Sequence, residues 1–135
     1  MEKLPRPLLI FALLYLAASF IHFAHNAEFL AEYPKLPDWL TRANVYLAWA
    51  ATLLPGFIAF FAWARGHKMW AYGLLAVWGA LSYLGLDHYY VAPLSAHTHI
   101  ANLTILFEVL AGTLLLVSSV AYLIRLRVAR LRVGN

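Results

Sequence analysis

The sequence predicts an all-α polytopic membrane protein, a four-transmembrane-helix bundle of up-down-up-down topology. Three observations predict it. The 135 residues are 64% hydrophobic and 12% charged, with a mean hydropathy of +0.72, too apolar for a soluble domain whose surface must meet water. Four apolar runs reach the roughly 20 residues needed to cross a bilayer. The basic residues stand at the ends of those runs, so the net charge of +4 points to a membrane rather than to nucleic acid. The same composition excludes a disordered chain. The absence of cysteine excludes a disulfide scaffold and a thiolate metal site.

The first span is predicted over about 7–31, uncharged from Pro7 to Ala27 after a short basic start with Lys3 and Arg6. It is long for the apolar core of a signal peptide and no clean A-x-A site follows, so it is expected to stay in place. Residues 32–41 carry Pro34, Pro37 and Trp39, a stiff outer loop with an interfacial aromatic. The second span covers about 43–64, and Pro55-Gly56 predicts a kink near its middle. Arg65-Gly66-His67-Lys68 is a tight basic turn. The third span covers about 69–90, and Pro93 marks the next connection. The fourth covers about 99–124, interrupted only by Glu108, and ends in Arg125-Leu-Arg-Val-Ala-Arg-Leu-Arg, a stop-transfer anchor facing anionic lipid. Connections this short make neighbouring helices antiparallel and leave a single domain over 1–135.

Sorting the charges by side gives the orientation. One end holds eight basic residues against Glu2, net +7. The other holds Lys35 and Arg42 against Glu28, Glu32, Asp38, Asp87 and Glu108, net −3. Both termini are therefore expected in the cytoplasm, with the chain in the plasma (inner) membrane and its acidic half outward.

Ionisable groups inside spans are costly and mark function by default. At 1.5 Å per residue from the basic end of each helix, His22 lies ~24 Å out, His25 ~28 Å, Asp87 ~28 Å, His88 ~30 Å and Glu108 ~26 Å. Three helices thus bring five such groups to one level. His22, His25, Asn26 and Phe29 share one face of the first helix. On the fourth, His97, Ala101, Thr104, Glu108, Gly112 and Ser119 make a small and polar stripe suited to close packing, through which copies of the chain could also associate. On the third, Gly73, Ala76, Ala80, Tyr83 and Asp87 form a similar stripe, which predicts that Asp87 points inward, with His88 about 100° away.

Imidazole and carboxylate without thiol fit a transition metal ion, zinc or iron first. The expected ligands are His22, His25, His88, His97, His99 and Glu108, with Glu108 and Asp87 as the catalytic carboxylates. The function this predicts is a metal-dependent membrane enzyme acting on a lipidic or amphipathic substrate at the outer leaflet. A bis-His haem or quinone protein pairing His22 or His25 with His88 is the alternative, and a metal or proton sensor or carrier a further one. Conduction is disfavoured, since below Glu108 only serines and threonines remain. Plainer readings stand beside these. His25 can simply bond Asn26 or a headgroup, Glu108 can sit in a structural hydrogen bond, and His67 belongs to a solvated turn. Glu28, Glu32 and Asp38 are surface charges, the tyrosines and tryptophans are anchors and packing, and the Asn102-Leu-Thr104 sequon falls within a span.

Overall fold

A computed structural model describes residues 3–133. Every element among the described residues is helical: α1 (Arg6–Glu28), α2 (Arg42–Thr52), α3 (Leu54–Ala64), α4 (Lys68–Ala80), α5 (Asp87–Val91) and α6 (His99–Val133), with short 3₁₀ turns at Leu30–Glu32, Leu81–Leu86 and Leu94–Ala96. Four continuous stretches are long and apolar enough to cross a membrane: Arg6–Glu28, Arg42–Ala64, Lys68–Val91 and His99–Arg132.

Local chemistry sets the ends. Pro7 stands in the first turn of α1, where its missing N–H costs nothing. The helix stops at Glu28, three residues short of the sequence expectation. The chain there turns through Leu30–Glu32 and folds Tyr33 back over the helix end. Thr41 and Asn44 form a reciprocal cap on α2: Asn44 N–H donates to the Thr41 hydroxyl at 3.3 Å, and Thr41 N–H donates to Asn44 Oδ1 at 3.0 Å. The kink expected from Pro55 is a break at Leu53, after which α3 restarts with the proline in its first turn. At the end of α3, His67 N–H donates to Ala62 O and Gly66 N–H to Trp63 O, both at 2.9 Å. This is a Schellman closure, and it needs the left-handed conformation that Gly66 adopts at φ 79°. The last helix runs to Val133, well past the expected end near 124, because its arginines, leucines and Ala129 are good helix formers with no glycine or proline among them.

Helix α6 lies between α1 and α4 and packs closely on both. Helix α3 packs on α4, and α2 packs on α1. The second span therefore leans on different neighbours above and below its break. The main core joins Leu8, Ala12, Tyr15 and Ala18 of α1 to Leu75 and Trp78 of α4 and to Ala111 and Leu115 of α6. Tyr15 meets Trp78 edge-on, with centroids 5.2 Å apart.

The third span departs from the face expected of it. Its buried residues are Ala71, Tyr72, Leu75, Trp78 and Gly79, continuing through Ser82 and Gly85. Tyr83, expected inside, is 41% exposed. The departure begins within α4, where Gly73, Ala76 and Ala80 are only half-buried, and the 3₁₀ segment Leu81–Leu86 adds a further rotation. Three residues per turn instead of 3.6 advance the chain by about 20° more at each residue, or about 120° over the segment. Extrapolating an α-helical stripe across it misplaces everything that follows.

Helices α4 and α6 touch through Gly79 and Gly112. A Cβ at Gly79 would stand 2.6 Å from Gly112 O and 2.7 Å from Leu116 N, both rigid backbone, whereas one at Gly73 meets nothing within 4 Å. Gly79→Ala is expected to destabilise the bundle by about 1–3 kcal/mol through overpacking. Gly73→Ala should be neutral or gain up to ~1 kcal/mol of helix propensity. Thermal unfolding of detergent-solubilised protein, followed by loss of the monodisperse elution peak, should show a lower midpoint for the first variant only.

Candidate functional site

The outer ends of α1 and α6, the start of α5 and two loop segments enclose a cluster of histidines around one carboxylate. His22 comes from α1, Thr104 and Glu108 from α6, His88 from α5, and Tyr33 and His97 from the connections. His22 and Glu108 are each 2% exposed. The small residues around them make the burial possible: a Cβ at Gly85 would stand in van der Waals contact with Glu108 Oε2, at 3.4 Å, so a side chain longer than alanine's would press on the carboxylate.

Hydrogen bonds orient the imidazoles. The Thr104 hydroxyl donates to Ala101 O at 2.9 Å, so its oxygen is left to accept from His22 Nδ1–H at 3.4 Å. That places the His22 lone pair on Nε2, which faces Glu108 Oε2 at 3.8 Å. Glu108 Oε2 is buried without a hydrogen-bond partner. In that tautomer two acceptor atoms face one another across a gap that a proton or a cation can bridge. His97 Nδ1–H donates to Pro93 O at 3.1 Å, which likewise leaves Nε2 as its free acceptor. His88 Nε2 accepts from Asn26 Nδ2 at 3.3 Å. A backbone carbonyl or hydroxyl on Nδ1, leaving Nε2 unprotonated, is the arrangement that readies histidines as ligands.

The rings form a chain. His22 and His88 meet edge to face with centroids 5.5 Å apart, and His88 and His97 do so at 6.0 Å. Tyr33 is the hub: its ring lies 4.9 Å from His88, 6.3 Å from His97 and 6.5 Å from His22. The residue is 3% exposed, and burial pushes its phenol up to about 12. It therefore keeps its proton and donates to His25 Nδ1 at 2.9 Å. His25 Nε2 lies 4.0 Å from Glu32 Oε2.

The sequence-predicted residues divide accordingly. His22, His88, His97 and Glu108 are brought together, and His25 flanks them through Tyr33. His99 is exposed at the start of α6, outside the cluster. Asp87 is exposed and lines a pocket of about 240 Å³ with Pro34, Lys35, Leu36, Pro37, His88 and Val91. The expectation that Asp87 points inward is corrected: Asp87 is exposed at the pocket, whereas His88, expected as a ligand, does reach the cluster. His88 thus belongs to both the pocket and the buried cluster. Among the described residues no three His, Asp or Glu side chains stand in positions that could hold a metal ion without rearrangement. His22 and Glu108 are the pair that face each other directly.

Tyr33 is the residue of the cluster that sequence reasoning misses, since by type it reads as an interfacial anchor. Eight residues and a helix end separate it from His25, so no periodicity links the two. Comparison with protein-family models, curated proteins and solved structures finds no match for this chain.

Tyr33 covers the histidines from outside. In intact protein, diethylpyrocarbonate should modify exposed His67 and His99 quickly and His22 slowest, read site by site by mass spectrometry. Tyr33→Ala should raise modification of His88 and His97 severalfold and leave His67 unchanged. Equal rates in both proteins would remove the covering role.

Proposed function

We propose that this chain is a four-span membrane protein of up-down-up-down topology, inserted in the plasma (inner) membrane with both termini cytoplasmic, which binds one transition metal ion near its outer face. Support for insertion comes from the apolar surface. No more than 44% of the most apolar window of any span is buried, and residues such as Leu47, Phe57, Leu103 and Val117 are 60–68% exposed. Water does not tolerate such a belt; lipid requires it.

One observation carries the metal reading: the unpartnered Glu108 Oε2, buried 3.8 Å from the Nε2 lone pair of His22. Two donors that share an ion at about 2.0–2.2 Å each stand about 3–4 Å apart. Thr104 holds His22 in the tautomer that a metal needs, and His88 and His97 are the neighbouring imidazoles that could complete the shell by rotating. With nitrogen and oxygen ligands and no thiol, zinc or iron is the ion proposed. Such an ion polarises a bound carbonyl or lowers the pKa of bound water. Asp87, beside His88 in the outer pocket, is then the carboxylate placed for acid–base work on an amphipathic substrate, with Glu108 retained as ligand. The edge-to-face contact of His22 with His88 leaves no slot between them for a macrocycle, which argues against the haem alternative.

Elemental analysis of protein purified after metal-replete growth tests the reading. About one equivalent of zinc or iron per chain is expected, as for a site whose ligands must be deprotonated to bind. His22→Ala and Glu108→Gln should lose it, while His67→Ala and His99→Ala keep it. Metal-free protein, or equal content in all four variants, would sink the metal reading and leave a proton shared between His22 and Glu108. Reporter fusions at both termini should be active only in the cytoplasmic compartment.

A further inference from the structure

The opposite end of the molecule carries a second polar site. The five described carboxylates, Glu28, Glu32, Asp38, Asp87 and Glu108, belong to the other half of the molecule, and three cations of this end lie on aromatic faces. The Arg65 guanidinium stands 4.5 Å from the Phe61 centroid, Lys68 Nζ 5.6 Å from the Trp63 ring, and the Arg125 guanidinium 5.7 Å from the Tyr122 ring. Arg130 Nη1 donates to Met69 Sδ at 3.0 Å. A thioether is a weak acceptor, and a guanidinium has five donors to place.

Between Arg130 and the turn before α4 lies a pocket of about 250 Å³, lined by Gly66, His67, Lys68, Met69, Trp70 and Arg130. It joins two elements far apart in sequence, holds three nitrogen bases and has no acidic residue in its wall. Trp70, at its rim, is 73% exposed. An indole so placed is characteristic of the level of lipid headgroups.

We propose that this pocket binds a phosphate group, supplied by the headgroup of an anionic phospholipid in the inner leaflet. Lys68 and Arg130 provide the charge from opposite walls, and the planar fork of Arg130 suits two phosphate oxygens. His67 adds a donor, and Trp70 lies against the glycerol and upper acyl chain. The same phosphate chemistry is offered by free inorganic phosphate, which lacks any group for Trp70. The inference rests on the membrane reading above and is independent of the metal. Extraction of the chain from membranes only by detergent tells the failure of the one from the failure of the other.

Native mass spectrometry of the full chain, titrated with phosphatidylglycerol or phosphatidylcholine, reads the site. One phosphatidylglycerol should be retained in preference to phosphatidylcholine. Lys68→Gln with Arg130→Gln should weaken that retention about thirtyfold, the effect of two cations close to an anionic surface. Arg125→Gln with Arg127→Gln removes the same charge from the same end and should leave retention nearly unchanged. Arg125, Arg127 and Arg130 are exposed and Lys68 is half-buried, and an unaltered elution profile confirms that each variant is intact. Equal weakening by both pairs would reduce the effect to diffuse attraction and overturn the site. Displacement of the lipid by inorganic phosphate at equal concentration would overturn the lipid assignment in favour of a soluble ligand.

Discussion

Burying a carboxylate in an apolar helical bundle is the constraint around which the outer half of this molecule is arranged. An uncompensated charge there costs several kcal/mol, so Glu108 needs a proton, a cation or a cationic neighbour. The structure answers with His22 at 3.8 Å and with no hydrogen bond to Oε2. What surrounds the pair is small: Gly85 on one side, Thr104 one turn above, and Gly112 one turn below, packed against Ser82. Larger residues at these positions would push α6 away from its neighbours and admit lipid. The close packing of α4 on α6 through Gly79 and Gly112 is thus part of what isolates the site.

The same isolation explains the loops. A buried polar cluster at the end of an apolar bundle has to be closed against its surroundings, and the closing parts are not on the four long helices. The turn at Leu30–Glu32 brings Tyr33 across three imidazoles, and Pro93 supplies both the carbonyl that orients His97 and the end of the preceding helical stretch. Glu32 reaches on to Thr98, whose hydroxyl donates to its Oε2 at 3.2 Å, tying the first connection to the third. The outer connections therefore act as a lid built from two loops that hold each other.

Much of this was legible in the sequence, and the limits are physical. Four helices, their approximate ends, the break at Pro55 and the inward face of the last helix follow from apolar length and α-helical periodicity. His22 and Glu108 could be matched in depth because both lie on unbroken α-helix counted from a charged end. The third span defeated the same count. The small-residue stripe read there is not the buried face even in α4, where Leu75, Trp78 and Gly79 are buried instead. Leu81–Leu86 contains nothing that announces a 3₁₀ turn except Gly85, so the count misplaces Asp87. Tyr33 and His97 sit in loops, where no period carries information about direction. His99, two residues after His97 and chemically identical, shows the consequence: one ring is buried in the cluster and the other is exposed.

The charge distribution links the two ends. The five described carboxylates lie in one half, where Glu108 and Glu32 stand near His22 and His25 and Glu28 is met by Arg42 at 2.9 Å and the Tyr46 hydroxyl at 2.8 Å. At the other end Arg65, Lys68 and Arg125 lie on the rings of Phe61, Trp63 and Tyr122. The group that faces Glu108 is then a histidine, His22 at 3.8 Å, and not a lysine or arginine. A fixed cation there would neutralise the carboxylate permanently, whereas an imidazole carries charge only when it takes up a proton.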